Sequence, residues 1–184
     1  ALNKAGQVFC WGSNEHHQLG VGSSAGAISG ATQVTLPSSS PVRLLSRGGN
    51  TTCVVTDVEE LFCWGSNPHG QAGVTPVSEG GKAPVPRVDP PVRIVLEDEA
   101  KPVLELAGGI AHTALLAENR SVWTWGSNFF SQLDRSAPPC DDPDYTYECT
   151  GVPGQATSFG SQGVALTTSG QFTCIIDKPD RQVW

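Results

Sequence analysis

One four-residue word is written three times in this chain: Trp11-Gly12-Ser13-Asn14, Trp64-Gly65-Ser66-Asn67 and Trp125-Gly126-Ser127-Asn128. A Trp-bearing tetrapeptide does not recur this often by chance. Self-similarity at a period of tens of residues means an array of like units that bury their apolar faces on one another. The likeness runs outward from each word. Gln18-Leu19-Gly20 matches Gln71-Ala72-Gly73 and, more weakly, Gln132-Leu133-Asp134, while Val8-Phe9-Cys10 matches Leu61-Phe62-Cys63 and Val122-Trp123-Thr124. The copies occupy 8–20, 61–73 and 122–134, and Gln182-Val183-Trp184 opens a fourth. Upstream, Gly48 to Cys53 aligns with Gly109 to Ala114 and with Ser169 to Cys174.

Between the words lie short apolar runs cut by turn residues. Val42–Leu45, Cys53–Thr56 and Leu61–Trp64 form one set; Val103–Leu106, Ala114–Leu116 and Val122–Trp125 repeat it. Runs this short, rich in β-branched and aromatic residues, predict strands. No stretch of a dozen residues carries a 3.6 period. The expected fold is all-β, a partial β-propeller of four-stranded blades. Gly12, Gly65 and Gly126 stand where a strand ends and the backbone must turn. Trp11, Trp64 and Trp125 are expected to pack between blades, and Asn14, Asn67 and Asn128 complete the structural word.

A Gly-containing His/Thr turn, an apolar hairpin, Trp-Gly-x-Asn and then Gly-Gln-Leu-Gly resemble the regulator of chromosome condensation repeat. The resemblance covers nearly the whole chain outside the loops between words. It implies a seven-bladed ring, of which residues 1–184 supply about three blades as a single repeat domain, incomplete at both ends. The exposed blade edges would then favour association. The third copy departs from the pattern, with Phe129-Phe130-Ser131 and Asp134 where glycines of the word belong. The loops at 21–41, 74–102 and 135–158 are longer than the repeat needs, and long loops on one face are where a propeller meets partners.

The six cysteines follow the repeat. Cys53 and Cys63 flank a hairpin at the spacing of cross-strand partners, close to disulfide range. In the third copy both are replaced together, by Ala114 and Thr124. Cys10 matches Cys63 and Cys174 matches Cys53, so their partners are expected just outside 1–184. Cys140 and Cys149 are expected to close the third long loop on each other. Disulfides at these positions point to an oxidising compartment, hence an extracellular, periplasmic or cell-surface location.

Between those last two cysteines lie Asp141, Asp142, Asp144, Tyr145, Tyr147 and Glu148. Tyr beside acidic groups on a tied loop is pre-organised for contact, and this is the candidate partner-binding loop. Its spacing does not match a calcium loop. Gly22-Ser23-Ser24-Ala25-Gly26 has the letters of a nucleophile elbow but lies in a Ser/Gly-rich loop rather than on a strand-to-helix turn. His112 fills the turn position where the family carries His and is expected to hydrogen-bond structurally, while His16 and His69 follow their words in loops. No Cys or His spacing suits zinc, and no cofactor is expected. Asn50 and Asn119 sit in glycosylation-acceptor triplets that matter only in a secreted protein.

The formal charge of −7, from 18 acidic and 11 basic residues, argues against nucleic acid as the partner. No apolar run is long enough to span a membrane. The functional expectation is a non-enzymatic protein-binding propeller scaffold, exported or on the cell surface, whose partner is another protein. Two alternatives stand: an intracellular exchange factor for a small GTPase, which the resemblance implies as the founding activity, and the non-catalytic propeller part of a larger multidomain enzyme.

Overall fold

The computed structural model describes residues 1–75, 86–140, 147–158 and 163–177. Twelve strands are found among them, all paired antiparallel. The first sheet joins β1 (Phe9–Ser13) to β2 (Ala27–Gln33). The second runs in order β3 (Val42–Gly48), β4 (Thr51–Thr56), β5 (Leu61–Ser66), β6 (Arg87–Ile94). The third repeats it with β7 (Val103–Gly108), β8 (His112–Ala117), β9 (Val122–Ser127) and β10 (Cys149–Gln155). A last pair joins β11 (Gly163–Ser169) to β12 (Phe172–Asp177). Two complete four-stranded blades therefore lie between a pair of outer strands and a pair of inner ones. This all-β arrangement of successive four-stranded antiparallel sheets is a partial β-propeller.

The words sit at the ends of β1, β5 and β9, as the third strand of each blade. The first strands, β3, β7 and β11, pack on one another toward the centre. There the backbones approach so closely that a Cβ on Gly48 would run into Gly108 and Gly109.

Alternation of side chains along each strand places the core between blades. From β4 and β5, Cys53, Val55, Leu61 and Cys63 face the third blade and meet Leu115, Ala117, Trp123 and Trp125. Val54, Phe62 and Trp64 turn the other way and join Val8, Val34 and Val42. Ala114, Leu116 and Val122 meet Ala156 and Leu166 in a third layer. Middle strands are thus covered on both faces, and every residue of β4, β8 and β9 is buried.

The long inter-word segments are not only loops. Each contains the outer strand of its blade: β2, β6 or β10. These strands escaped the apolar pattern because each is bulged at the same place. Pairing skips from Cys63↔Val92 to Gly65↔Val88, so Asp89-Pro90-Pro91 stands opposite Trp64. The same jump sets Ser29-Gly30-Ala31 opposite Trp11 and Gly151-Val152-Pro153 opposite Trp125. A bulge on an outer strand is one of the few places in a sheet that tolerates Pro and Gly.

Candidate functional site

Each word is closed by its own polar groups. Asn67 Oδ1 accepts from Ala72 N at 2.9 Å, and Asn67 Nδ2 donates to Val74 O at 2.8 Å. Asn14 and Asn128 act alike: Asn14 Oδ1 accepts from Leu19 N at 3.2 Å and Asn128 Oδ1 from Leu133 N at 3.1 Å. The Gln side chain of the word takes one more amide, His69 N onto Gln71 Oε1 at 3.0 Å and Phe130 N onto Gln132 Oε1 at 2.8 Å. The word thereby holds two backbone sites in the left-handed region, Gly70 and Gly73 at φ 83° and 79° in one copy and Ser131 and Asp134 at 61° and 51° in the next.

The carbonyl of that same Gln is gripped by the following blade. Gln18 O accepts from Thr52 Oγ1 and from Trp64 Nε1, each at 2.9 Å. Gln71 O accepts from Thr113 Oγ1 at 2.9 Å and Trp125 Nε1 at 3.1 Å, and Gln132 O from Thr173 Oγ1 at 3.1 Å. Trp64 and Trp125 are fully buried by this packing, whereas Trp11 is 53 % exposed. Gly20 is required beneath Trp64, since a Cβ there would lie 2.6 Å from the indole nitrogen.

His112 belongs to this framework. Its Nε2 lies 2.9 Å from Thr173 Oγ1, whose proton is given to Gln132 O, so Nε2 carries the imidazole hydrogen. Nδ1 is buried with no hydrogen-bond partner among the described residues, and burial lowers the His112 pKa to about 4. The ring is neutral at pH 7.

The third word projects what the other two do not. Phe129 and Phe130 are 50 % and 58 % exposed although both of their backbone N–H groups are bonded, to Ser127 Oγ and Gln132 Oε1. Tyr147 is brought beside them by a short ladder: Cys140 N donates to Tyr147 O at 2.7 Å, Cys149 N to Pro138 O at 3.0 Å, and Pro139 pairs with Glu148. The same two cysteines are joined as a disulfide across the base of the loop. The Tyr147 hydroxyl lies 2.7 Å from His69 Nδ1 of the preceding word. Phe129 packs edge-on against Phe130 and Tyr147 at centroid distances of 4.7 and 5.5 Å. These rings border a cavity of about 390 Å³, completed by Ala111, Ser127, Gln132 and Gln171.

Of the candidate loop, Asp141, Asp142, Asp144 and Tyr145 lie outside the described residues. Tyr147 is part of the aromatic cluster. Glu148 is half-exposed, and its Oε2 accepts from Ala137 N at 2.9 Å and Asn128 Nδ2 at 2.8 Å, which hold its carboxyl below the usual range. Cys53 and Cys63 stand directly opposite each other and are bonded within the layer between the second and third blades. Cys10 and Cys174 have no disulfide partner among the described residues. His69, Phe129 and Phe130 were not among the expected binding residues; the signal available for them was the departure of the third word from Gly to Phe-Phe-Ser.

Among the described residues, no group of His, Cys, Asp and Glu is placed to hold a metal, and no helix is long and apolar enough to cross a membrane.

The family model described as regulator of chromosome condensation (RCC1) repeat matches residues 5–55, and a second model of the same description matches 42–71. Probable E3 ubiquitin-protein ligase HERC6 of Homo sapiens is 32% identical over 139 residues, covering 76% of this chain and 13% of that protein. Two solved structures share the fold. Human WBSCR16 aligns with TM-score 0.72 at 20% identity over 97% of this chain and 42% of its own. Prp20p of Saccharomyces cerevisiae, studied for its binding to Gsp1p and histones, aligns with TM-score 0.72 at 19% identity over 96% and 40%. The chain thus spans less than half the length of each. These relatives correct one expectation. The exported location read from the cysteines does not hold, because the ubiquitin ligase and Prp20p are intracellular proteins. The cysteine spacing reports the geometry of a hairpin packed between blades, which does not depend on compartment.

Proposed function

The chain belongs to the regulator of chromosome condensation repeat family, and on that premise we propose that it works as a non-enzymatic propeller scaffold that docks another protein through the aromatic cluster of its third word. One observation carries this reading: Phe129 and Phe130 stay half exposed while the amides of their turn are held by Ser127, Gln132 and Asn128. An apolar pair fixed at the surface loses little conformational freedom on binding, and rigid aromatic anchors dominate interface energetics. The loop ladder that delivers Tyr147 and the His69 contact from the neighbouring blade enlarge the pair into a patch spanning two words.

The test is affinity purification of the intact protein beside a Phe129→Ser/Phe130→Ser double variant and a Val95→Ser control. Val95 is exposed and lies outside the cluster. The double variant should lose a defined set of partners while melting within about 2 °C of the parent, as expected of surface changes below about 0.5 kcal/mol. An identical partner set in all three proteins would overturn the docking site.

The reading of the segment as the non-catalytic propeller part of a larger multidomain enzyme is favoured by the HERC6 match, in which the chain corresponds to 13% of a ubiquitin ligase. It is compatible with docking: the blades would then present a substrate or regulator to a catalytic region elsewhere.

A further inference from the structure

The two disulfides found among the described residues stand in different surroundings. Cys53 and Cys63 are 3 % and 0 % exposed, sealed between the second and third blades. Their strands pair without a break from Thr51↔Gly65 to Val55↔Leu61, so that hairpin is held by its own ladder as well as by sulfur. Cys149 is also buried, but Cys140 is partly exposed. Thiol–disulfide exchange requires a thiolate to reach one sulfur, so access decides which bond is exchanged. Away from an oxidising compartment, an accessible disulfide is as a rule transient and redox-sensing.

The loop depends on its bond more than the hairpin does. Among the described residues, the ladder at its base consists of Cys140 N donating to Tyr147 O and Cys149 N to Pro138 O, with Pro139 bridged to Glu148. Pro138 and Pro139 bring no N–H to it. Joining the two cysteines across a sequence separation of 9 favours the closed loop by about 100-fold over the open chain. The two ends respond differently when the bond opens. Cys149 stays in the blade, paired with Ser127, and Glu148 O still accepts from Asn128 N at 2.8 Å. Cys140 is the end that is released, and with it the amide that holds the Tyr147 carbonyl. The Tyr147 ring meets Phe129 at a centroid distance of 5.5 Å, so the tie acts on one side of the docking patch and leaves the word beneath it in place.

We propose that Cys140–Cys149 is a thiol-exchange switch on the docking patch, set when oxidised and relaxed when reduced by a small thiol of the glutathione class. This rests on the docking role of the patch and names its regulation. The thiolate attacks Cys140 Sγ; the S–S bond breaks, and its electron pair leaves on Cys149 Sγ, which takes a proton. A second thiolate attacks the small thiol's sulfur in the mixed disulfide, and Cys140 leaves as a thiolate that is protonated in turn. Two electrons and two protons have then entered the protein, and one disulfide of the small thiol has formed. Reoxidation by that disulfide runs the same steps backward.

The test incubates the intact oxidised protein with glutathione, then alkylates samples over time and maps them by mass. Cys140 and Cys149 should be reduced about 10-fold faster, or more, than Cys53 and Cys63. Hydrogen exchange at the Cys140 amide should rise by about 10-fold or more on reduction, with the amides of β4 and β5 unchanged. Cys140→Ser, at a partly exposed position, should show the same rise with no thiol added, and protected β4 and β5 amides show that it folds. Partners that depend on Phe129 and Phe130 should bind the reduced protein and Cys140→Ser about 5-fold more weakly, or worse, than the oxidised parent, the loss of one displaced aromatic anchor. Earlier reduction of Cys53–Cys63, or a Cys140 amide that exchanges alike in both states, would overturn the switch. If Phe129→Ser/Phe130→Ser loses its partners while reduction and Cys140→Ser leave them bound as before, docking stands and the switch falls. If the double variant keeps every partner, the docking reading falls and this regulation falls with it.

Discussion

The second and third blades have the same backbone and reach it by different chemistry. In the second, the left-handed sites of the word are Gly70 and Gly73, and the hairpin is tied by Cys53 and Cys63 inside the core. In the third, the sites are Ser131 and Asp134, and the hairpin carries Ala114 and Thr124. Left-handed backbone at an L-residue costs roughly 1–2 kcal/mol. The third blade offsets this with polar anchors of its own. Asp134 Oδ2 accepts from Ser158 N at 2.7 Å, its carbonyl accepts from Thr157 N at 2.9 Å, Glu148 bridges Asn128 and Ala137, and Arg135 donates to Thr124 O and Val152 O. The substituted word leans on its outer strand and in return carries large side chains to the surface.

The comparison breaks first at the shared element. Trp64→Ala and Trp125→Ala should each cost about 3–5 kcal/mol in urea denaturation, because both indoles are fully buried and both hold the preceding Gln carbonyl. Trp11→Ala, at an indole 53 % exposed, should cost well under half of that. Equal losses at all three would deny that the clamp between blades is what the word exists to build.

The next test separates the blades by pH. His112 opens β8 where Thr51 opens β4, so only the third blade carries a titrating group at this site. Its folded pKa of about 4 lies below the ordinary 6.5, so the unfolded chain binds the proton more readily. The stability His112 supports is present in full above pH 6.5 and is lost as pH falls toward 4, by about 3 kcal/mol at pH 4. Melting curves across this window should show that slope in the parent and a flatter one in His112→Gln. A slope unchanged by the substitution would place the acid sensitivity elsewhere.

The finest test exchanges the word residues. Gly73→Ala meets both an unfavourable φ of 79° and the Ile94 side chain, and should cost about 1–3 kcal/mol. Asp134→Gly removes backbone strain but also the bonds to Ser158, two terms of about 1 kcal/mol that oppose each other, so the net change in denaturation midpoint should be small. If Asp134→Gly costs as much as Gly73→Ala, the polar anchors do more than offset the lost glycine.

What the sequence disclosed follows the same division. The repeat, the hairpins of β4–β5 and β8–β9, and the burial of Trp64 and Trp125 were legible because regular pairing leaves an apolar pattern. The outer strands were not, since a bulge opposite each word Trp fills them with Asp-Pro-Pro, Ser-Gly-Ala or Gly-Val-Pro. The aromatic site was half legible. Tyr147 stood out in its loop and Phe129-Phe130 as a break in the word, but their meeting with His69 depends on the angular step between blades, which juxtaposes residues 78 positions apart. The bond from Asn128 to Glu148 was not legible either, since it joins the word to a loop 20 positions away.

The grip on the Gln carbonyl has a consequence for how such chains grow. Each carbonyl is offered by one blade and taken by the Thr and, where the third strand is described, the Trp of the next, so the contact has a direction. The transferable unit is therefore not the sheet but the joint, a Gln from one copy with the Thr and Trp of its successor. A duplicated blade bearing both halves fits into the series wherever it is inserted, whatever its loops carry. The grammar of the joint is inherited intact, and the side chains displayed between joints are left free to diverge.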